Sequence, residues 1–380
     1  MIPFNRPWLT GRELEYVAKA VEGRMISGDG PYTRRVHALL ESTMGVRRAL
    51  LTTNCTHALE MAALLLDICP GDEVIMPSFT FVSTANAVVL RGGHPVFVDV
   101  REDTLNIDER LIEAAITSKT KAIFVVHYAG VACEMNAILA IGRSHGIPVV
   151  EDNAHGLYGT YFGRQLGTLG VLATQSFHET KNFTCGEGGA LIINDAQYVE
   201  RAEIIREKGT DRSRFFRGLV DKYSWVAPGS SYLPSDINAA FLLAQLEERD
   251  RIQASRHSVW SRYEHGLRTW AADHDVRLPV IPAGHGHPAH LFYLLLPSLE
   301  ERSAFIDDLG RRGVNAVFHY VPLHDSVMGR ELGYARGDLP VTEDISARLV
   351  RLPLYNFMTD EEVGQVINAC LDSVWERSRA

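Results

Sequence analysis

From about residue 45 to residue 195, short apolar runs alternate with helix-like stretches, and no other feature narrows the possible folds so sharply. The runs are Ala49–Leu51, Glu73–Met76, Pro95–Val100, Ala122–Val126, Pro148–Val150 and Ala190–Ile193. Between them lie helix-like segments that include Ala58–Leu66, Glu109–Ala115 and Met135–His145. Strands that alternate with helices predict a mostly parallel sheet covered on both faces, because each helix serves as the crossover between parallel neighbours. The expected fold class is therefore α/β. In such a sheet, ligands bind beyond the carboxyl ends of the strands, so function is sought in the segments that follow the runs.

The flanking regions differ in character. The N-terminal arm ends in a capping signal, Thr10 with Glu13 three residues on, ahead of Tyr16, Val17 and Ala20. A long helical stretch from Asp236 to about Leu267 leads into Pro279, Pro282 and a Gly/His-rich turn at Gly284–His287. Beyond it come a strand-like His290–Leu296, a helix Glu300–Arg311 and a second strand-like Ala316–Val321. A Thr359/Glu362 capping box opens a last helix that carries Val363, Val366, Ile367, Cys370, Leu371, Val374 and Trp375 on one stripe. The division predicted is an arm at 1–12, a large α/β domain at 13–250 and a smaller α+β domain at 251–380.

Composition excludes more than it selects. A net charge of −9 argues against a general binder of nucleic acid or anionic membrane, so any phosphorylated ligand needs a local site. Five scattered cysteines (55, 69, 133, 185 and 370) never fall in a C-x-x-C pair. That spacing predicts neither a metal site nor a disulfide framework. The start, MIPFNRPW, has no charged leader ahead of an apolar run, and the longest apolar stretches are strand-sized. The expectation is a cytoplasmic protein.

Four stations follow the strand-like runs. Thr53-Asn54-Cys55-Thr56-His57-Ala58 joins a strand to a helix, where free N–H groups and a hydroxyl offer an anion site; alone it is an ordinary polar N-cap. Pro77-Ser78-Phe79-Thr80-Phe81-Val82 places aromatics at a strand's end, suited to a flat heterocycle or equally to packing. In Val149-Val150-Glu151-Asp152-Asn153-Ala154-His155 an acid ends a buried strand, where it can hold a ring nitrogen protonated, cap a helix or bind a metal. Ser176-Phe177-His178-Glu179-Thr180-Lys181-Asn182, followed by Gly186-Glu187-Gly188-Gly189, presents a lysine that is either a solvated loop charge or a desolvated nucleophile. Each station is weak alone. In this order (phosphate cup, aromatic, acid, amine) they supply every contact that pyridoxal phosphate needs.

These motifs resemble the sugar aminotransferases of the DegT/DnrJ/EryC1/StrS family, within the fold-type I pyridoxal-phosphate enzymes, over essentially the whole chain. The resemblance rests on SFHETKN followed by GEGG, on GDEVIMPSFTFVSTANA, VVEDNAH and the HY-x-PLH motif at His319–His324. EIIREKGTDRSRFFRG and GSSYLPSDINAAFLLAQL look like the branch that makes dTDP-4-amino-4,6-dideoxygalactose from dTDP-4-keto-6-deoxyglucose, with L-glutamate as donor. The resemblance implies Lys181 as the Schiff-base lysine, Asp152 as partner of the pyridine nitrogen and Phe81 as the stacking ring. It implies Cys55, Thr56 and Ser176 at the phosphate and His155 near the ring hydroxyl. Relatives place an Asn from the partner subunit on the phosphate; the aligned segment here reads Gly229-Ser230-Ser231-Tyr232, which puts Ser231 in that place. A homodimer with shared active sites is implied, and His319 and Tyr320 as substrate-side residues. Two rivals remain on the same scaffold: a sugar dehydratase, whose relatives typically replace the lysine by histidine, and a non-catalytic binding protein.

Overall fold

The computed structural model describes residues 1–375; residues 376–380, the end of the expected smaller domain, lie outside the described residues. Its centre is a seven-stranded sheet. In chain order the strands are β1 (Arg48–Thr52), β2 (Glu73–Pro77), β3 (His94–Val98), β4 (Thr120–Val126) and β5 (Val149–Asp152). They continue with a short hairpin of β6 (Thr160–Tyr161) and β7 (Arg164–Gln165), then β8 (Leu172–Ser176) and β9 (Gly189–Ile193). The spatial order is β1-β9-β8-β5-β4-β2-β3. Only β9 runs against the rest, pairing antiparallel with both β1 and β8. The carboxyl ends of the other six strands therefore share one edge, and all four stations open from that edge.

Each strand is buried along nearly its whole length, as a sheet covered on both faces requires. One face packs on the helices Cys55–Leu65 and Val82–Val89 through Leu50, Met61, Ala62, Met76, Phe124 and Leu191. The other packs partly on Pro31–Met44 and Asp236–Glu247 through Val36, Leu40, Leu51, Ala240 and Leu243. Strand β8 escaped the sequence reading. It reads LATQS, and its Thr174 and Gln175 are buried polar residues that break the apolar pattern.

After β9 the chain departs from expectation in several places. The long helical stretch is two helices, Asp236–Glu247 and Arg249–Asp273, which break at Glu248. The Gly/His-rich turn carries β10 (His285–Gly286), which pairs antiparallel with β6 in a separate three-stranded sheet, β10-β6-β7. The expected strand Ala316–Val321 is not one. The partner of β11 (Phe292–Leu295) is β12 (Leu349–Leu352), in antiparallel register from Phe292–Leu352 to Leu295–Leu349. From the misread segment only Val317 pairs, bridging to Arg351. Phe318 and Val321 are exposed rather than alternating inward, and Pro322 has no N–H to extend a ladder. The last helix ends at Leu371, not Trp375; Val374 is exposed, while Trp375 packs back against Trp270 and Phe305. Its capping box is formed as the sequence predicts. At the N-terminal arm Thr10 does not cap the helix. Glu13 reaches back instead to the N–H groups of Thr10 and Gly11, at 2.7 and 3.0 Å.

No helix among the described residues is long and apolar enough to cross a membrane.

Candidate active site

A cavity of about 1000 Å³ opens beyond the carboxyl edge of the sheet. Its wall includes Cys55, Thr56, Phe81, Asp152, His155, Ser176, Lys181, His319 and Tyr320, nine residues singled out from sequence. The tenth, Ser231, is exposed, bridges to Glu207 by its backbone and is not among the residues lining this cavity.

The acid at the end of β5 is chosen by strand alternation. Neighbours on a strand face opposite sides. Glu151 accepts from the N–H groups of Gly167, Leu169 and Gly170 at 2.7–2.8 Å and pairs with the buried His127 at 2.9 Å. Its capacity is spent on structure. Asp152, facing the cavity, has only the Thr84 hydroxyl at 2.7 Å and the N–H of Ala154 at 3.2 Å. Burial raises its carboxyl above the usual carboxylate range, against the opposing pull of Thr84, Ala154 and Lys181. A buried carboxylate without an ion-pair partner among the described residues suits a cationic group such as a protonated ring nitrogen.

Lys181 is the amine opposite. It follows β8 in a turn whose N–H bonds to the carbonyl of His178. Burial lowers its pKa to about 8, offset in part by the charge of Asp152. A lysine in that range is nucleophilic near neutral pH. The adjoining Asn182 locks the turn in place, accepting from or donating to His290, Pro288 and Gln253, while Asn356 donates to its carbonyl at 2.9 Å. Behind these lies Arg256, fully buried with no carboxylate partner among the described residues, whose guanidinium holds the carbonyls of Ala289 and His290 and the side chain of Asn356.

The anion cup forms where β1 runs into the helix Cys55–Leu65. Asn54 caps it, accepting from the N–H of His57 at 2.8 Å, and Thr56 shares a 2.7 Å hydrogen bond with Ser83. The first N–H groups of the helix face outward without intrahelical partners, the geometry that favours a phosphate. Gly189 of β9 makes the cup possible. A Cβ there would lie 2.3 Å from the carbonyl carbon of Asn54 and 2.5 Å from the nitrogen of Cys55, so no other residue lets the two backbones meet. The Cys55 thiol is pushed up to about 12 by burial and stays neutral.

The roof is aromatic. His155 stacks on His290 with centroids 4.3 Å apart and receives the Tyr320 hydroxyl at 3.3 Å; His319 stacks on Tyr320 at 3.6 Å and bonds the Tyr128 hydroxyl at 2.7 Å. Burial holds all three imidazoles well below their ordinary pKa, so they act as neutral hydrogen-bonding groups. The Nδ1 of His155 is buried with no hydrogen-bond partner, a place for a ligand's hydroxyl. His324, the last residue of the HY-x-PLH motif, plays a structural part: it bonds Ser78 and Glu343 and ties the roof to the end of β2. Thr84, Tyr128, His290 and Arg351 also belong to this site and were not singled out from sequence. Among the described residues, no cluster of three or more His, Cys, Asp or Glu side chains is placed to hold a metal.

An anion cup, an unpaired buried carboxylate, an orphaned imidazole nitrogen and a desolvated lysine fit pyridoxal phosphate, on the fold of the type I aminotransferases. The comparisons give this class its family. The chain matches the DegT/DnrJ/EryC1/StrS aminotransferase family over residues 7–371, and it belongs to that family. It is 33% identical to the spore coat polysaccharide biosynthesis protein SpsC of Bacillus subtilis (strain 168), over 98% of this chain and 97% of that one. Among solved structures it is similar to the aminotransferase TlmJ from Streptoalloteichus hindustanus (31% identity, TM-score 0.90, 98% of each chain). It is also similar to Spr1654 from Streptococcus pneumoniae in its pyridoxal-phosphate form (27% identity, TM-score 0.89, 97% of each chain). The cofactor of the family is pyridoxal phosphate.

Proposed function

We propose that this chain moves an amino group from L-glutamate to the C4 ketone of dTDP-4-keto-6-deoxyglucose, giving a dTDP-4-amino-4,6-dideoxyhexose of galacto or gluco configuration. The observation that carries the reading is the pairing, in one cavity, of an amine of lowered basicity at Lys181 with an acid at Asp152 that lacks an ion-pair partner. A mere binding protein needs neither. A sugar acceptor is supported by the likeness to a polysaccharide biosynthesis protein, and a cavity of about 1000 Å³ leaves room for a nucleotide-linked hexose beside a cofactor.

Pyridoxal phosphate, when bound, supplies an aldehyde that takes up the amino group and a ring that accepts electrons from the carbon losing its proton. The residues supply the rest. Lys181 would hold the cofactor through Nζ, and its free amine would take the proton from the donor's α-carbon as a general base. Asp152 keeps the ring nitrogen protonated. Cys55, Thr56 and Ser176 would hold the phosphate, Phe81 would lie against the ring and His155 would meet its hydroxyl. His319 and Tyr320 face the sugar. Donor and acceptor would take turns in one cavity, so the kinetics expected are ping-pong.

The reading includes a homodimer in which Ser231 reaches the partner's phosphate. The exposed apolar side chains Phe216, Leu219 and Trp225 in the stretch before it support a covered surface there. The test is incubation with dTDP-4-keto-6-deoxyglucose and L-glutamate, followed by NMR of the sugar. An amino group at C4 is the expected result, and the coupling constants report which face received it. An unchanged keto-sugar, with the cofactor bound, rejects this acceptor and donor pair.

A further inference from the structure

Tyr128 is completely buried beneath the roof of the cavity. Strand β4 runs out through His127 into a short turn, Tyr128–Gly130, in which Ala129 takes a left-handed φ of 56°. Asn106 holds the backbone of Tyr128. Its amide nitrogen donates to the carbonyls of Val131 and Ala132, so its oxygen is left to accept the Tyr128 N–H at 2.8 Å. The ring of Tyr128 lies against Phe79, Tyr293 and Tyr320, with centroids 5.0, 6.0 and 6.1 Å away. The hydroxyl at the end of this clamped ring has one partner among the described residues, Nδ1 of His319 at 2.7 Å.

That contact fixes two hydrogens. Burial keeps the phenol protonated and, with the charges of Arg351 and Lys181 nearby, keeps the imidazole neutral. The phenol's hydrogen has a single acceptor in reach, so Tyr128 donates and Nδ1 accepts. In the other tautomer the hydrogens of the phenol and the ring would collide. A neutral imidazole whose Nδ1 accepts bears its hydrogen on Nε2. Nε2 has no partner among the described residues, and His319 lines the cavity. We propose that Tyr128 is a positioning residue, which locks His319 as an Nε2–H donor to an oxygen of the acceptor sugar. The assignment rests on the keto-sugar aminotransferase reading of the site. The sugar is favoured over the amino donor because the donor's amine and carboxylates are charged, whereas His319 offers a neutral, directional bond. The stack of His319 on Tyr320 at 3.6 Å, with Phe318 exposed beside it, also gives a flat face for a hexose ring. A fixed donor discriminates, since a ligand with no oxygen there leaves a desolvated N–H unpaired.

Nitrogen NMR of the cofactor-loaded enzyme, with isotope-labelled histidine, reads the tautomer. The His319 signal, identified by its absence from His319→Gln, is expected to show hydrogen on Nε2; hydrogen on Nδ1 overturns the proposal. The two half-reactions are then followed by the visible absorbance of the cofactor. In Tyr128→Phe, amine transfer to dTDP-4-keto-6-deoxyglucose is expected to slow about 10-fold, while bleaching by L-glutamate stays within about twofold. A glutamine places its amide nitrogen where Nε2 lies and has no tautomer to lock. Adding Tyr128→Phe to His319→Gln is therefore expected to cost less than about twofold more. Equal slowing of both half-reactions, or the same loss on top of His319→Gln, marks a tyrosine that only supports the fold and overturns the role. Should Tyr128→Phe fail to fold, His319→Asn takes its place, because an asparagine amide falls where Nδ1 lies. It is expected to lose more of the acceptor half-reaction than His319→Gln, and equal losses overturn the proposal. An unmutated enzyme that bleaches with L-glutamate yet is not restored by the keto-sugar rejects the acceptor reading and the sugar's part here, while the NMR result still decides the lock.

Discussion

Asp152 and Glu151 sit side by side in sequence and are equally acidic by type, yet only one is available for chemistry. Three backbone N–H groups and His127 consume Glu151, while Asp152 keeps a hydroxyl, one N–H and an open side. Asp152→Asn removes the charge and keeps the shape. The single-turnover rate of proton abstraction from glutamate is expected to fall about 10²-fold or more, and an unchanged rate refutes the role. Lys181 gives a pH prediction. With its pKa lowered by burial to about 8, about a tenth of the cofactor-free protein carries the neutral amine at pH 7, so the rate of cofactor loading rises with pH and levels off above about 8. Stability follows the same group. Below about 8 the folded chain bears the full cost of burying the charge; between there and the ordinary lysine value, the unfolded chain binds more protons than the folded one. The cofactor-free protein therefore gains stability as pH rises through that window, measured as a rising denaturation midpoint. At this scale the sequence was legible where order along the chain carried the signal: cup, aromatic, acid, amine. Arg351 was not, since a lone arginine in a strand-like LVRLPL looks like any solvated charge until the fold turns it to the cavity.

The elements decide how closely those residues meet. Gly189 lets β9 pass against the Asn54–Cys55 backbone, and a methyl group there has nowhere to go. Gly189→Ala is expected to spread β9 from the start of the helix Cys55–Leu65 and to weaken cofactor binding at least tenfold, with Lys181 and Asp152 intact; equilibrium dialysis of the cofactor checks it. Wild-type affinity shows that the cup tolerates the shift. Strand periodicity predicted five of the parallel strands because they are apolar on both faces. It missed β8, whose buried Thr174 and Gln175 resemble loop residues, and β12, which was passed over for Ala316–Val321. That segment has strand-like composition, but its hydrogen bonds go to Arg351 and Ser346 rather than along a ladder. The break at Glu248 was hidden because apolar periodicity continues on both sides of it.

For the molecule as a whole, the chain brings its functional groups to one edge of one sheet and covers them from the far end of the sequence. The roof at His319–Tyr320, Arg351 and the arm at Phe4 all come from outside the central sheet. The proposed homodimer predicts a sedimentation mass of twice 42.3 kDa, and Trp225→Asp, at a side chain 79% exposed in the single chain, is expected to shift it toward the monomer. A monomeric unmutated enzyme with full turnover contradicts the shared-site reading. These distant pieces could be read from sequence only as motifs, because no local pattern reports which remote segments a sheet edge will gather.

The central claim is that the amine of Lys181 holds the cofactor and carries the proton. Its most direct measurement is borohydride reduction of the loaded enzyme followed by peptide mass mapping. The account predicts a cofactor-derived mass on Lys181, and none after Lys181→Ala, together with the loss of transamination. A label on another lysine, or turnover near the unmutated level in Lys181→Ala, contradicts it.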